Sequence, residues 1–379
     1  MLTQLIHTFA TAASSLSPAL PALPLFNQAI HHARTQPPTK PAILDLRTGK
    51  SHSYQDLVAD VARLRVRLLD GKEDLNEARV AFLCPNGYAY VVTQWAVWAA
   101  GGIAVPLCTT HPAPELFYTL TDSQASLVIA HSLYDSIIQS VASLTGIPSL
   151  TLEDANLSLG ASHPSPTTSV PSLDPSRRAL IIYTSGTTGS PKGVVTTHAA
   201  MSAQTESLVQ AWHWERSDRI LHVLPLHHVH GVVNALQCPL WAGATVEMAQ
   251  KFDAGEVWDR WVRGYEGKDE KITVFMAVPT IYSKLIHHYA SLPATSQSLA
   301  THSCSQHRLT VSGSAALPTP LRREWQHISG GQILLERYGM TEIGMALSGG
   351  YKVEERIEAG LSGKKVMQGG MKGERRGEE

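Results

Sequence analysis

The stretch RALIIYTSGTTGSPKGVV (residues 178–195) joins an apolar run to a turn rich in glycine and hydroxyl side chains. The run ALIIYT is typical of a buried strand, and the glycines after it let the backbone turn tightly and approach a ligand closely. Hydroxyls, free backbone N–H groups and the ammonium of Lys192 all suit an anion. The spacing differs from the common G-x-x-x-x-G-K-[ST] pattern, because Gly193 follows Lys192. We therefore predict a phosphate-binding loop of another kind, placed at the end of a strand.

Short apolar runs alternate with helical patterns on both sides of this loop. The runs are typical of strands, and patterns such as 54–69 and 88–100 are typical of helices. This alternation predicts an α/β fold in which helices cover mixed sheets on both faces. The uncharged stretch 88–107 is long enough to span a membrane, but Gly101, Gly102 and Pro106 interrupt it. We expect a buried helix of about three turns followed by a short strand, and no membrane span.

Composition narrows the class of protein. The chain has 379 residues, of which 43% are hydrophobic and 17% charged, and its net charge is −1. These values are typical of a globular protein, and a net charge so close to zero gives no overall electrostatic attraction for nucleic acid. The four cysteines are scattered and form no C-x-x-C pair, which favours a reducing compartment over a disulfide framework or a zinc site. We expect small molecules as partners.

Three segments differ in composition from the rest. Residues 1–20 lack acidic side chains and suit a leader with a targeting role, so the predicted compartment is cytoplasmic or mitochondrial. Residues 144–177 are rich in Ser, Pro and Thr and suggest a surface linker. Residues 349–379 combine glycines with charges and show no periodicity, which predicts disorder.

Three motifs, in order along the chain, give the sequence a recognisable signature. YTSGTTGSPKGV (183–194) resembles the phosphate loop of the adenylate-forming superfamily, which includes acyl-CoA synthetases, luciferases and nonribosomal adenylation domains. LPLHHVHG (224–231) resembles its histidine-bearing acyl-pocket motif, and YGMTE (338–342) its adenine and magnesium motif. The resemblance implies the large N-terminal AMP-binding domain of that fold over residues 21–348. It also implies ATP, Mg²⁺ and coenzyme A as cofactor and co-substrates.

The resemblance also implies a role for each matching position. In that interpretation Lys192, His228, Thr341 and Glu342 are catalytic, with Glu342 holding Mg²⁺ and His228 lying between the acid and the α-phosphate. The implied nucleotide-binding residues are Thr184, Ser185, Gly186, Thr187, Thr188, Gly189 and Lys192 at the phosphates, Gly313, Ser314 and Ala315 in the adenine pocket, and Tyr338, Gly339 and Thr341 beside the base and α-phosphate.

The histidines of the second motif permit another interpretation. His227, His228 and His230 suggest a metal cluster at first sight. However, no H-E-x-x-H pattern or cysteine-rich partner accompanies them. We favour the acyl-pocket role over metal binding.

Arg308 is the residue from which we predict the acid. It lies on a predicted apolar strand that leads into the adenine segment, and a buried arginine needs a partner. One interpretation is an edge position from which the guanidinium reaches water. The other is a clamp on a second carboxylate of the substrate. The segments RLTVSGSAALP and LLERYGMTEIGMALS resemble malonyl-CoA synthetases, in which an arginine in that place receives the distal carboxylate of malonate. We therefore predict that Arg308 binds a short dicarboxylate.

The superfamily pattern becomes unrecognisable after Ser348. A family member would continue to a hinge and a small domain with a catalytic lysine, and the sequence 349–379 contains neither. We expect a C-terminally truncated malonyl-CoA synthetase that is slow or inactive as it stands. Two alternatives stay open: a nucleotide-binding remnant without turnover, and a ligase for another acyl or aryl acid.

Overall fold

Two β-sheets with helices between and around them form the frame of the protein. The computed structural model describes residues 20–154, 172–184 and 189–361. The strands are β1 (Pro41–Asp45), β2 (Lys50–Ser53), β3 (Arg79–Leu83), β4 (Ile103–Pro106), β5 (Leu127–His131), β6 (Ser149–Leu152), β7 (Arg178–Thr184), β8 (Lys192–Thr197), β9 (Arg219–His222), β10 (Thr245–Met248), β11 (Val274–Ala277), β12 (Leu309–Ser312), β13 (Leu335–Met340) and β14 (Gly344–Ser348). One sheet has the order β6-β5-β3-β4-β7-β8, and the other has the order β14-β13-β12-β11-β9-β10-β1-β2. The predicted α/β class is confirmed.

The helices begin and end largely where local sequence directs them. They are α1 (Pro24–Thr35), α2 (Tyr54–Leu69), α3 (Tyr88–Ala99), α4 (Ala113–Asp122), α5 (Asp135–Thr145), α6 (His198–Ala211), α7 (Cys238–Ala242), α8 (Ala254–Tyr265), α9 (Pro279–Ser291), α10 (Ala294–Ser305), α11 (Thr319–Ile328) and α12 (Val353–Leu361), with a 3₁₀ turn at Ser132–Tyr134 and a π-helix at His230–Gln237. At the start of α2, Ser53 and Asp56 form a reciprocal capping box. Such a cap satisfies backbone N–H groups that the first helical turn leaves unpaired.

Helix α3 joins the two sheets. Every residue of Tyr88–Ala99 is buried, and the Trp98 indole donates to the Ala179 carbonyl of β7 over 2.7 Å. Gly101, at φ +78°, then reverses the chain into β4, as the sequence predicts. Within the described parts of the chain, no helix is long and apolar enough to cross a bilayer.

Strand direction decides where loops meet. β9, β10, β11, β12 and β13 run parallel, so their carboxyl ends share one edge of the eight-stranded sheet. β3, β4, β5, β6 and β7 likewise run parallel in the six-stranded sheet. The two edges face each other, because the Asn86 side chain, after β3, donates to the Leu224 carbonyl, after β9, over 3.0 Å. Ligands of open α/β sheets bind at such edges.

Two expectations about irregular segments are wrong in part. Within 144–177, residues 149–152 form β6, which pairs with β5, and only residues 155–171 lie outside the described part. Within 349–379, residues 353–361 form α12, and residues 362–379 lie outside the described part. This end packs on the rest of the protein, because the Tyr351 ring lies 4.4 Å from the His213 ring and Arg356 donates to the Ile333 carbonyl. Composition alone could not reveal those distant partners.

A buried histidine makes stability depend on pH. The His307 side chain is 3% exposed, its Nδ1 has no partner among the described residues, and burial lowers its pKa from 6.5 to about 3. Below pH 6.5 the unfolded chain binds a proton at this histidine and the folded chain does not. The contribution of His307 to the free energy of unfolding is therefore complete above pH 6.5 and decreases as the pH falls towards 3. Between pH 6.5 and 5 this residue should contribute a loss of about 2 kcal/mol.

The His307→Phe variant tests this contribution. Its unfolding free energy, measured by urea titration, should fall about 2 kcal/mol less than that of the wild type between pH 6.5 and 5. The same replacement of the exposed His287 is the control. Equal pH dependence in wild type and His307→Phe would contradict the assignment.

Candidate functional site

The phosphate loop joins two antiparallel strands at the common edge. Thr184 ends β7 and pairs with Lys192, the first residue of β8. The turn is anchored from outside, because the Tyr118 hydroxyl donates to the Pro191 carbonyl over 2.7 Å. Gly193 is required there, since a Cβ would lie 2.8 Å from the Ile181 side chain. The Lys192 side chain is exposed and forms no ion pair with a described residue, which leaves its charge free for a ligand.

Several of the predicted phosphate-binding residues cannot be placed. Ser185, Gly186, Thr187 and Thr188 lie outside the described residues. Their contacts with phosphate therefore stay predictions, as do those of Thr184, Gly189 and Lys192.

The histidine loop (residues 223–231) follows β9 at the same edge. Its tight path requires Gly231, because a Cβ there would lie 2.1 Å from the Pro225 carbonyl oxygen. His228 is exposed at the surface of this loop, with its ring 4.3 Å from the His227 ring. Partial desolvation, followed by the charges of His227 and His111, lowers the pKa of His228 to about 4. The imidazole is then neutral at pH 7 and can donate one hydrogen bond.

A metal interpretation of these histidines gains no support from the arrangement. Nowhere in residues 20–154, 172–184 and 189–361 do three or more His, Cys, Asp or Glu side chains form a group that could hold a metal ion. His230, moreover, points elsewhere: its Nδ1 lies 3.3 Å from the Ser314 hydroxyl.

Ser314 and Arg337 bring the adenine segment into contact with the histidine loop. Ser314, just after β12, has φ +66°, a left-handed conformation that is uncommon for a residue other than glycine. Its hydroxyl accepts a hydrogen bond from Arg337 over 3.1 Å. Gly313 makes room for that guanidinium, since a Cβ would lie 2.3 Å from Arg337 Nε. Strained residues of this kind concentrate at functional sites.

Arg337 is a buried cation that no carboxylate of the described residues neutralises. Arg337 is 7% exposed, and desolvation lowers the pKa of its guanidinium from 12.5 to about 10. None of the ion pairs among the described residues includes it, and its Nε has no partner there. Nearby His230 is 2% exposed and its Nε2 also has no partner. A buried charge is costly unless paired, so an anion that reached Arg337 would find a cation without a carboxylate partner among the described residues.

Arg337 is not among the site residues predicted from the sequence. The signal was present, because the residue lies in the strand LLERYGM directly before Tyr338, which the resemblance places at the base. An arginine within an apolar strand, such as Arg337, is as unusual as Arg308 and was an equally good candidate for binding the acid.

Arg308 lies away from Arg337 and Ser314 and already has a carboxylate partner, which argues against its predicted role as the clamp for the acid. It precedes β12, whereas Gly313 and Ser314 follow that strand, and the two positions lie at opposite edges of the sheet. Its Nε donates to Asp218 Oδ1 over 2.6 Å, its second terminal nitrogen bonds the same carboxylate, and Nη1 donates to the Trp212 carbonyl over 2.9 Å. The guanidinium already has the buried partner that a substrate would supply.

The third motif forms the hairpin of β13 and β14. Tyr338 is 56% exposed, so its ring is available for stacking on a base. Gly339 permits the strands to approach, since a Cβ would lie 2.3 Å from the Gly344 carbonyl oxygen. Thr341 and Glu342 lie in the turn, and Glu342 is exposed. Their contacts with nucleotide or metal stay predictions, as does the place of Ala315 in the adenine pocket.

Comparisons with known proteins agree with this geometry. A family model described as AMP-binding enzyme matches residues 30–369, a range that runs past Ser348. A mitochondrial malonate–CoA ligase of Xenopus laevis is 46% identical over 333 residues, covering 83% of this chain and 56% of the relative. Its human counterpart is 47% identical, covering 79% and 52%. The crystal structure of ATP-bound MatB from Rhodopseudomonas palustris superposes with a TM-score of 0.72 at 30% identity, covering 86% of this chain and 62% of that one.

The chain thus spans about half the length of the curated relatives it matches. The model match covers most of the chain and includes the phosphate loop, the histidine loop and the β13–β14 hairpin. The chain belongs to the AMP-binding enzyme family.

Proposed function

We propose that this chain supplies the ATP- and acid-binding domain of an ATP-dependent acid–CoA ligase whose acid is malonate. The acid and ATP would form an acyl-adenylate and pyrophosphate, and the thiol of CoA would then displace AMP to give the acyl-CoA. The observation that carries the choice of acid is the buried Arg337 guanidinium, which has no carboxylate partner among the described residues.

The pocket chemistry favours a short dicarboxylate. A guanidinium presents a planar fork of donors that matches a carboxylate and binds it bidentately. Arg337 Nε is unpaired, and Ser314 and His230 lie beside it with further polar atoms. A fatty acid would need an apolar lining instead and would leave this charge buried and unpaired. One carboxylate of malonate would be held here, which leaves the other free to react.

The remaining motif residues would carry the adenylation step. When a carboxylate attacks the α-phosphorus, negative charge grows on equatorial oxygens and on the departing pyrophosphate. Lys192 and the loop at 184–192 would stabilise the β- and γ-phosphates, and Thr341 the α-phosphate. Neutral His228 would donate a hydrogen bond to the reacting carboxylate or the α-phosphate.

Exposed Glu342 fits a Mg²⁺ role, because this ion is usually held by one or two carboxylates together with substrate phosphates. Mg²⁺ would there neutralise charge on the phosphates. The mitochondrial names of the relatives favour a mitochondrial over a cytoplasmic location.

Two measurements on the chain as it stands test the proposal. Calorimetric titration should show binding of ATP with Mg²⁺ and of malonate, and radiolabelled pyrophosphate should exchange into ATP only when malonate is present. ATP binding without malonate-dependent exchange would instead indicate a nucleotide-binding module. If octanoate or benzoate supports exchange to the same extent as malonate, the protein is a ligase for another acid.

A further inference from the structure

The histidine loop is held from two sides. Within its own sheet, His222 Nε2 donates to the Gly231 carbonyl over 3.0 Å. From the six-stranded side, the Asn86 amide donates to the Leu224 carbonyl over 3.0 Å and the Tyr90 hydroxyl donates to the Leu226 carbonyl over 2.7 Å. Leu226 directly precedes His227 and His228. The last backbone carbonyl before the histidines is therefore set by a side chain of α3.

A buried polar chain fixes the direction of the Tyr90 hydrogen bond. The Gln94 amide donates to the Tyr90 oxygen over 3.1 Å, and the Gln237 amide donates to Gln94 Oε1 over 3.0 Å. Tyr90, Gln94 and Gln237 are 3%, 0% and 1% exposed. Because the Tyr90 oxygen already accepts from Gln94, its own proton is directed to Leu226. Connected networks of this kind hold their members in one geometry.

The network also joins the two ends of the segment that carries the histidines. Gln237 ends the π-helix that begins at His230, and Tyr90 contacts the loop four residues before His230. Most of the other residues of α3 are apolar, so buried polar groups here carry a cost that their hydrogen bonds offset. Leucine or phenylalanine at positions 90 and 94 would fill the core without holding the loop.

We propose that Tyr90 is a positioning residue for the acid site: its hydroxyl sets the Leu226 peptide, and through it the placement of His228 and His230 against the substrate. This inference rests on the proposed function, since it assumes that the histidine loop binds the acid. Asn86, which holds the start of the loop, assists in the same way.

The test compares two single-atom deletions on one helix. Tyr90→Phe removes the hydroxyl that reaches the loop. Tyr88→Phe, the matched control, removes a hydroxyl that donates to Asp60 over 2.5 Å and does not touch the loop. Both variants should lose a hydrogen bond in the core. We expect the malonate dissociation constant to rise about tenfold in Tyr90→Phe only, with the ATP constant unchanged in both.

Hydrogen exchange gives a second readout that needs no substrate. Amides of residues 226–231 should exchange about tenfold faster in Tyr90→Phe than in the wild type and unchanged in Tyr88→Phe. Equal exchange and equal malonate binding in the two variants would overturn the proposal. If the wild type itself binds no malonate, the proposed function fails, but the exchange comparison still decides whether Tyr90 positions the loop. Asn86→Ala, at a half-buried position, repeats both measurements should Tyr90→Phe not fold.

Discussion

Replacing Arg337 with leucine should weaken malonate binding by about 30-fold or more, since truncating one partner of a buried charge pair costs about 2–5 kcal/mol. The variant would leave the distal carboxylate in a pocket with only Ser314 and His230 as polar partners. Leucine removes the charge and keeps apolar volume, so a short monocarboxylate such as butyrate should bind the variant better than the wild type. Calorimetric titration of both acids, with ATP binding as the reference, provides the measurement.

Two further variants separate charge from geometry at this pocket. Arg337→Lys keeps the charge but loses the planar fork, and we expect it to bind malonate with intermediate affinity. Arg322→Leu is the control, because Arg322 is half-exposed and its Nη1 lies 3.4 Å from Glu336. Full malonate affinity in Arg337→Leu, or an equal loss in Arg322→Leu, would show that Arg337 does not receive the acid.

Arg308→Leu should act on stability instead, lowering the free energy of unfolding by about 3 kcal/mol, because breaking a buried ion pair leaves an uncompensated charge. Asp218 is 3% exposed and would keep only the Thr273 hydroxyl and the Glu215 N–H as donors. Arg308 also holds Tyr351, so α12 should lose protection from hydrogen exchange. Denaturant titration measures the first effect. Malonate affinity, measured where the variant is folded, should not change.

An exposed pair provides the control for this prediction. Arg178 binds Glu77 through its guanidinium over 2.6 Å, as Arg308 binds Asp218, but its side chain is 56% exposed. Arg178→Leu should therefore cost less than about 1 kcal/mol. If Arg308→Leu loses malonate binding while its free energy of unfolding is unchanged, then Arg308, and not Arg337, binds the distal carboxylate of malonate.

The family and much of the local structure follow from sequence alone. The phosphate loop, the turn at Gly101 after α3 and the short strand that follows are encoded by contiguous residues, because strand, turn and cap preferences act within a few positions of the chain. The same reasoning gave the α/β class, since the alternation of elements is visible along the sequence.

The choice between the two arginines was decided only in three dimensions. Arg308 and Arg337 both belong to sequence segments that lead into predicted nucleotide motifs, and their local sequences do not show which one has a partner. The parallel pairing of β12 with β13 places the start of β12 at the edge away from the site and the carboxyl part of β13 at the edge beside it. Asp218, the residue that occupies Arg308, lies 90 positions away in the chain. Burial and pairing over such separations depend on the packed fold, so only the tertiary structure could show which guanidinium already has a carboxylate partner.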